Sequence, residues 1–430
     1  MNIRKHLYFF LSKIRKTPVI DFLKEYKLDE AVKKDLRKSR LNHLLQHAKE
    51  NTMIYSDYNS FEEFPLINKD FLRENYDKFL SKKLDPEKAI KTRSSGSSGQ
   101  PMVYYLTKEK KYRHNADAIF YNSWANYEIG DKFGYSRIIE KSKLTTFIRN
   151  ETVLNPTNFT DEWLRDKVNL LKKKKIVALI GFPTSIVAIA KKAKKENLNA
   201  NDFAIKSIII TGEATSLEDK ELLTEVFGVI PIDRYSTEEF GVIAASCKVC
   251  GKFHMNDVGL IVEVLDLETN KPVKKGEIGK IVITDLFSHH MPLIRFETGD
   301  LATYGGKSTC EIYPTGEVLE SINGREIEIL YDIHGNKISP WAVSEHMKFF
   351  TSINQFQFIQ KDIDDNELKL VINENYNKTV EQEIKKAIES LLGTPPKINI
   401  VDEIPAQKTG KRPYIISLYN LNKTNQEIKN

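Results

Sequence analysis

The chain has 430 residues, of which 40% are hydrophobic and 29% charged, and its net charge is +6. This length accommodates a large domain with a smaller second one, and the balance is typical of a folded globular protein rather than a disordered or fibrous one. No apolar run approaches the roughly 20 residues that a membrane-spanning helix needs, and three cysteines are too few for a disulfide framework, so we expect a cytoplasmic protein.

The first 90 residues are predicted to be mainly helical. The segment Ile3–Ile14 fits two interpretations: a helix docked on its own domain, which we favour, or a basic amphipathic helix resting on a membrane surface. It lacks a small-residue cleavage site, so no secretory signal is expected. The lysine-rich runs Lys172–Lys175 and Lys191–Lys195 adjoin apolar stretches. They are interpreted as solvated helix faces, and no nucleic-acid partner is expected.

The segment Thr92–Pro101 is rich in Ser and Gly. Glycines let backbone amides approach a polyphosphate closely, and Ser hydroxyls add donors without bulk. A flexible linker has a similar composition. The strand-like run Met102–Thr107 follows at once, which favours a structured loop over a linker. The loop is not a Walker loop, because the Gly-Lys-Ser/Thr of that motif is absent.

Strand-like and helical segments alternate from residue 176 onward. Ile176–Gly181 and Ser207–Thr211 are apolar or β-branched runs, whereas Ser185–Lys195 and Leu217–Phe227 have helical spacing. This alternation predicts an α/β fold with a parallel-sheet core and crossover helices. A change in pattern near Gly324 predicts two domains, residues 1–324 and a smaller, mobile α/β lid over residues 325–430.

Further short motifs follow the Ser/Gly segment in order: Thr211–Ala214, Tyr235–Gly241, Arg295–Asp300, Gly324-Arg325 and Gly410-Lys411. The series resembles the acyl-adenylate-forming, or AMP-binding, superfamily. It is most similar to the phenylacetate-CoA ligase branch and its CapK-like relatives from capsular-polysaccharide gene clusters. The resemblance extends from about Arg40 to Tyr414, and it implies a large adenylate-forming domain with a C-terminal lid that rotates about Gly324-Arg325.

The resemblance also implies a set of nucleotide-binding residues. The phosphates of ATP would be held by Ser94, Ser95, Gly96, Ser97, Ser98 and Gly99. The adenine pocket would be lined by Gly212 and Glu213, with Tyr235 stacked on the base. Asp300 would accept hydrogen bonds from both ribose hydroxyls, and Arg325 would reach the nucleotide from the hinge.

The magnesium ligand has two candidate positions. The family pattern is Tyr-Gly-x-Thr/Ser-Glu, and counting from Tyr235 puts Ser236 at the Gly position, Glu238 at the hydroxyl position and Glu239 at the metal position. Taking Thr237-Glu238 as the Thr-Glu pair keeps the chemistry but shortens the spacing. We favour Glu239, and either carboxylate offers the hard oxygen ligands that Mg²⁺ prefers.

Lys411 is the predicted catalytic lysine. By the resemblance it would pair with the α-phosphate and the substrate carboxylate, and a compact, mobile charge suits that role. The predicted activity is ATP- and Mg²⁺-dependent activation of a carboxylic acid as acyl-AMP, followed by transfer to the thiol of CoA or of a carrier-protein phosphopantetheine. An amine or hydroxyl acceptor and a non-catalytic nucleotide-binding protein are the alternatives. The phenylacetate branch suggests a homodimer.

The cysteines cluster in the sequence with one histidine, as Cys247, Cys250, His254 and Cys310. Thiolates and an imidazole in a set of four fit a closed structural zinc site, and phenylacetate-CoA ligase relatives carry a similar one. Free cysteines beside a core histidine are the alternative. We predict zinc, without a catalytic role, because four protein ligands leave no open position.

Overall fold

The computed structural model describes residues 2–93, 102–137, 142–154, 160–213, 215–325, 329–338, 340–347, 349–405 and 413–419. The chain forms two compact units: the first is Met1–Thr298 with Thr303–Ser321, and the second is Gly299–Ala302 with Ile322–Asn430. The functional boundary near Gly324 remains a prediction. None of the helices in the described part of the chain has the length and apolar character that crossing a bilayer requires.

Helices fill most of the first 80 residues. They are α1 (Ile3–Ile14), α2 (Val19–Glu25), α3 (Glu30–Asn51), α4 (Lys69–Glu74) and α5 (Tyr76–Phe79), with a 3-10 turn at Phe61–Glu63. Strands β1 (Ile90–Arg93) and β2 (Val103–Leu106) then form an antiparallel pair, with Arg93 opposite Val103. The Ser/Gly segment therefore connects two paired strands. Helix α6 (Lys108–Ser123) follows β2.

One sheet of 11 strands organises the first unit. Its strands are β3 (Phe133–Ser136), β4 (Glu151–Leu154), β5 (Ala178–Gly181), β6 (Ser207–Thr211), β7 (Ile232–Thr237), β8 (Gly241–Ser246), β9 (Phe253–Met255), β10 (Leu260–Leu265), β11 (Ile278–Asp285), β12 (Phe296–Lys307) and β13 (Glu317–Arg325). They lie in the order β10-β11-β12-β13-β9-β8-β7-β6-β5-β3-β4.

The α/β class is confirmed, but the sheet is mixed rather than parallel throughout. Neighbouring strands run parallel from β4 through β3, β5 and β6 to β7. The pairs β7–β8, β8–β9, β9–β13 and β10–β11 are antiparallel. Three residues join β7 to β8, and antiparallel strands tolerate such a short turn whereas parallel strands do not.

Crossover helices cover the parallel strands: α7 (Lys143–Arg149), α8 (Asp161–Lys174), α9 (Pro183–Lys195) and α10 (Leu217–Phe227). Side chains alternate across the sheet. Leu179 and Ile208 belong to the core formed with α8, α9 and α10, whereas Ile180 and Ile209 belong to a separate core on the other side. Local signals fix both ends of α10. Ser216 Oγ accepts from Asp219 N at 3.0 Å at its beginning, and Gly228 follows its last residue at φ +69°.

The second unit is a smaller α/β structure. Its elements are β14 (Leu330–Tyr331), β15 (Lys337–Ile338), α11 (Pro340–Met347), β16 (Ile353–Gln360), β17 (Asn366–Ile372), α12 (Lys378–Leu392), β18 (Lys397–Ile400) and β19 (Ile415–Ser417). Four strands form a sheet in the order β18-β17-β16-β19. Leu368 and Leu370 of that sheet are fully buried against Ile384 and Ile388 of α12.

Candidate active site

The predicted adenine-pocket residues lie at the carboxyl ends of the parallel strands. In sheets of this kind, ligands bind beyond those ends. Strand β6 ends at Thr211, and Gly212 and Glu213 follow directly. Thr211 Oγ1 lies 3.0 Å from Ser236 Oγ near the end of the neighbouring β7, so the two strand ends are tied together.

The turn after β6 is fixed by packing and by hydrogen bonds. Gly212 has φ +90°, and a Cβ there would lie 2.8 Å from the ring of Phe182, so the position favours glycine. Glu213 Oε2 accepts from the backbone N of Thr184 at 3.3 Å and also from its hydroxyl. The Glu213 carboxylate is thereby held against the start of α9.

Strand β7 carries Tyr235, Ser236 and Thr237, and the chain then turns through Glu238 and Glu239. The backbone N of Phe240 donates to Thr237 Oγ1 at 3.2 Å, which closes the turn. The hydroxyl hydrogen of Thr237 remains available to a ligand, because a hydroxyl can accept and donate at once.

Both glutamates of this turn face the strands that flank the Ser/Gly segment. Glu238 is exposed, and its Oε2 accepts from Thr92 Oγ1 on β1 at 2.9 Å. Burial and then the charge of Glu239 raise the pKa of Tyr104, on β2. Glu238 thus contacts one of the two strands that flank the predicted phosphate loop, and the charge of Glu239 acts on a residue of the other.

A cavity of about 180 Å³ opens beside this turn. Its lining is mostly polar and comprises Thr92, Leu106, Lys111, His114, Ala118, Arg234, Ser236, Thr237, Glu238, Gly241 and Val242. Strands β1, β2, β7 and β8 contribute to it together with α6. The cavity thus joins the predicted nucleotide-binding turn to a set of side chains that the sequence motifs do not include.

Arg234 is one of those side chains. Its Nη1 donates to Asn122 Oδ1 at 2.8 Å, whereas its Nε is buried and has no hydrogen-bond partner among the described residues. Burial lowers the pKa of Arg234. A buried donor without an acceptor is costly, so Arg234 Nε is a candidate to bond a water or a ligand oxygen.

His114 lies on the α6 side of the same cavity. Its Nε2 is buried without a partner in the described part of the chain. Burial, followed by the charges of Lys110, Lys111 and Arg113, lowers the pKa of His114 well below its ordinary value, so the ring is neutral near pH 7. Gly241, at φ +72°, permits this close packing, since a Cβ there would lie 2.8 Å from the imidazole.

Sequence reasoning missed both Arg234 and His114. Arg234 directly precedes the motif residue Tyr235 on the same strand. Its position next to the motif could have marked it as a site residue. Thr92 stood in the Ser/Gly segment but was given no role. Nothing in the sequence marks His114, since its place in the cavity depends on the packing of α6 against β8.

Several predicted residues fall in other parts of the chain. Asp300 lies on β12, in the second compact unit, and Arg325 is the last residue of β13, with its side chain outside the described set. The remaining predicted residues lie outside the described residues: Ser94, Ser95, Gly96, Ser97, Ser98, Gly99 and Lys411. Their roles stay predictions.

The structure brings the four predicted zinc ligands together. The donor atoms of Cys247, Cys250, His254 and Cys310 all lie within 4.8 Å of one another. Cys247 Sγ is 3.7 Å from Cys310 Sγ, and Cys250 Sγ is 3.3 Å from His254 Nε2. Tetrahedral zinc with bonds of about 2.3 Å to sulfur requires sulfur–sulfur edges of roughly 3.8 Å, so the donor spacing fits.

Local structure prepares these ligands. Strands β8 and β9 are joined by a tight turn in which Gly251 N donates to Cys247 O at 2.8 Å, and Val249 N lies 3.4 Å from Cys247 Sγ. Burial lowers the pKa of His254 to about 4, which keeps the imidazole in its neutral, metal-binding form. Burial raises the pKa of the Cys250 thiol to about 11, because a buried thiolate is unfavourable. A bound cation would stabilise that thiolate.

Comparison with known proteins places this geometry in context. Residues 330–418 match the family model of the CapK C-terminal domain. Protein CapK of Staphylococcus aureus is 22% identical over 411 residues, which cover 89% of this chain and 89% of CapK. A phenylacetate-coenzyme A ligase of Pseudomonas putida is 20% identical, over 89% of this chain and 91% of the ligase.

Solved structures share the fold. A 2-hydroxyisobutyryl-CoA ligase, in its postadenylation state with 2-HIB-AMP, has a TM-score of 0.72 at 18% identity and covers 92% of each chain. ATP-bound MatB from Rhodopseudomonas palustris has a TM-score of 0.56 at 15% identity, over 79% of this chain and 68% of MatB. The chain is thus a sequence relative of CapK and the phenylacetate-CoA ligases, and its fold is that of the adenylate-forming ligases.

Proposed function

We propose that this protein activates a carboxylic acid with ATP and passes the acyl group to a thiol. In the first step a carboxylate oxygen attacks the α-phosphorus, acyl-AMP forms and pyrophosphate leaves. In the second step a thiol of CoA or of a phosphopantetheine attacks the acyl carbon and AMP leaves. Neither step needs an enzyme nucleophile, so positioning and charge neutralisation would supply most of the rate.

One observation carries this proposal. Glu238 contacts Thr92 on one strand beside the Ser/Gly segment, and burial and then the charge of Glu239 raise the pKa of Tyr104 on the other. A carboxylate at the base of a phosphate-binding loop is where a Mg²⁺ ion bridging the phosphates would be held. We assign that role to Glu239, from its spacing to Tyr235, and the ion would neutralise charge on the leaving pyrophosphate.

The residues proposed around the nucleotide act on different parts of it. Ser94–Gly99 would donate to the β- and γ-phosphates, Gly212, Glu213 and Tyr235 would bind adenine, and Asp300 would accept from the ribose. Thr237 or Ser236 would donate to the α-phosphate. Lys411 and Arg325 would come from the second unit, and Lys411 would stabilise charge at the reacting carboxylate.

The cavity supports an acid with an oxygen-bearing tail. Its lining is mostly polar and includes Arg234 and His114. Arg234 Nε and His114 Nε2 are buried polar atoms that lack partners among the described residues. An acid with a hydroxyl, keto or second carboxylate group would satisfy them, whereas a hydrocarbon tail would leave both unpaired.

A pyrophosphate-release assay with ATP and Mg²⁺ tests the function. The acids should include aryl, fatty, hydroxy-, dicarboxylic and amino acids, each with and without CoA. We expect release with a polar acid, made catalytic by CoA. Release that stays near one equivalent would instead point to a carrier-protein, amine or hydroxyl acceptor.

A matched pair of variants makes the assay specific. Glu239→Gln should lower pyrophosphate release at least about 100-fold, because a metal ligand is lost. Glu268→Gln makes the same change at an exposed turn between β10 and β11 and should leave the rate within about twofold. Equal rates in Glu239→Gln and the wild type would refute the assignment of Glu239, and no release with any acid would refute the function.

A further inference from the structure

Helix α1 turns its apolar side chains toward solvent. Ile3, Leu7, Phe10 and Ile14 recur at helical spacing, and they are 71%, 52%, 60% and 61% exposed, whereas the helix's buried residue is Ser12. A helix on the surface of a globular protein normally has the opposite arrangement, with its apolar stripe against the core. The apolar stripe of α1 is therefore available to something outside the first unit.

The orientation of α1 is fixed by its other side. Asn2 Nδ2 donates to the carbonyl oxygen of Ile129 at 3.1 Å, and Lys5 forms a 2.7 Å ion pair with Glu128. Tyr8 packs against the buried cluster that contains α2. The helix is thus held against its own unit by polar anchors and one aromatic ring, with the apolar stripe outward.

Helix α7 extends the exposed surface. Leu144, Phe147 and Ile148 are 68%, 71% and 63% exposed. Arg4 joins the two helices, because its Nη1 donates to the carbonyl oxygen of Ile148 at 2.8 Å and its guanidinium lies 5.1 Å from the Phe147 ring centroid. We call the combined surface the α1–α7 patch: Ile3, Leu7, Phe10, Leu11, Ile14, Leu144, Phe147 and Ile148.

The charged residues of α1, α7 and the positions next to them have one sign. Residues 2–17 and 143–150 contain no Asp or Glu, and their Lys and Arg residues are Arg4, Lys5, Lys13, Arg15, Lys16, Lys143 and Arg149. Lys5 and Arg149 have carboxylate partners in Glu128 and Glu151. A large apolar surface rimmed by basic groups is typical of helices that lie in the interface of an anionic membrane.

We propose that the α1–α7 patch binds the surface of an anionic lipid bilayer, with α1 lying in the plane of the headgroups. The apolar side chains would enter the acyl boundary while the basic rim pairs with lipid phosphates. A second copy of this chain fits less well, because a two-fold contact through the patch would bring two identical sets of cations together. The proposal is independent of the catalytic function.

Vesicle co-sedimentation of the full-length protein tests the proposal. The vesicles would be phosphatidylcholine alone and phosphatidylcholine with about one-third phosphatidylglycerol. We expect partitioning into the anionic vesicles only, weakened by salt. The double variant Phe10→Ser/Phe147→Ser should lower the partition coefficient at least about tenfold, and Lys13→Gln/Arg15→Gln should lower it by a similar factor.

The control is Met53→Ser/Ile230→Ser, which removes side chains of comparable exposure, 65% and 54%, from other segments of the chain. It should partition within about twofold of the wild type. Wild-type protein that binds neither vesicle would overturn the proposal, as would binding that the Phe10/Phe147 variant retains. A wild-type dimer that this variant converts to a monomer, without vesicle binding, would overturn it in favour of self-association.

Discussion

At the scale of single residues, two of the side chains that line the cavity carry buried polar atoms without partners among the described residues. Native proteins pair nearly all buried donors and acceptors, so such atoms are uncommon. Arg234 Nε and His114 Nε2 both belong to that set, although Arg234 also bonds Asn122. Both residues line the cavity beside the turn after β7, so their replacement tests the proposed binding of a polar acid there.

Replacement of Arg234 by Leu should reduce kcat/KM selectively for acids with a polar tail. A hydrogen bond to a charged group contributes about 1.5–3 kcal/mol, so the expected loss is roughly 10- to 150-fold. Arg234→Lys keeps the charge but not the planar donor set, so its kcat/KM for such acids should lie between those of the wild type and of Arg234→Leu. Steady-state kinetics with a polar acid and its deoxy analogue measures the effect, and equal losses for both acids would contradict this role for Arg234.

At the scale of elements, the Cys/His cluster belongs to the turn between β8 and β9, to β9 itself and to the loop containing Cys310. Strand β9 is only three residues long, and it pairs with β13 through His254 opposite Val318. Such a short strand contributes few hydrogen bonds of its own. A bound metal would therefore stabilise the junction between β8, β9 and the Cys310 loop.

The purified protein should contain about one zinc per chain. His254→Gln should lose the metal and lower Tm by about 5 °C or more, because a closed site contributes directly to folding free energy. His43→Gln changes an exposed histidine on α3 and should keep both metal and Tm. Elemental analysis with thermal unfolding, with and without a chelator, checks this; a zinc-free wild type whose Tm ignores the chelator would disprove the site.

Some elements could be predicted from sequence because their signals are local. The predicted bounds of β6 and α10 agree with the structure, since a β-branched run, a Ser cap and a terminal Gly act within a few residues. The antiparallel half of the sheet could not be predicted in this way. The pairing of β9 with β13 joins residues more than 60 positions apart, and no local pattern specifies that register.

At the scale of the whole molecule, the predicted ligands of ATP are distributed over both compact units. Ser236, Thr237 and Glu239 belong to the first unit, whereas Asp300 and Arg325 belong to the second. The predicted rotation of a C-terminal lid between adenylation and thiol transfer therefore stays a prediction. The proposed function depends on one chemical step, the attack of the acid on the α-phosphorus of ATP.

Isotope transfer tests that step most directly. The acid that supports pyrophosphate release would be labelled with heavy oxygen in its carboxylate and incubated with ATP, Mg²⁺ and CoA. Attack at the α-phosphorus places one labelled oxygen in AMP once the thioester has formed, so mass spectrometry should find the label in AMP. Label in inorganic phosphate, with ADP as the nucleotide product, would mean attack at the γ-phosphorus and would contradict the proposed function.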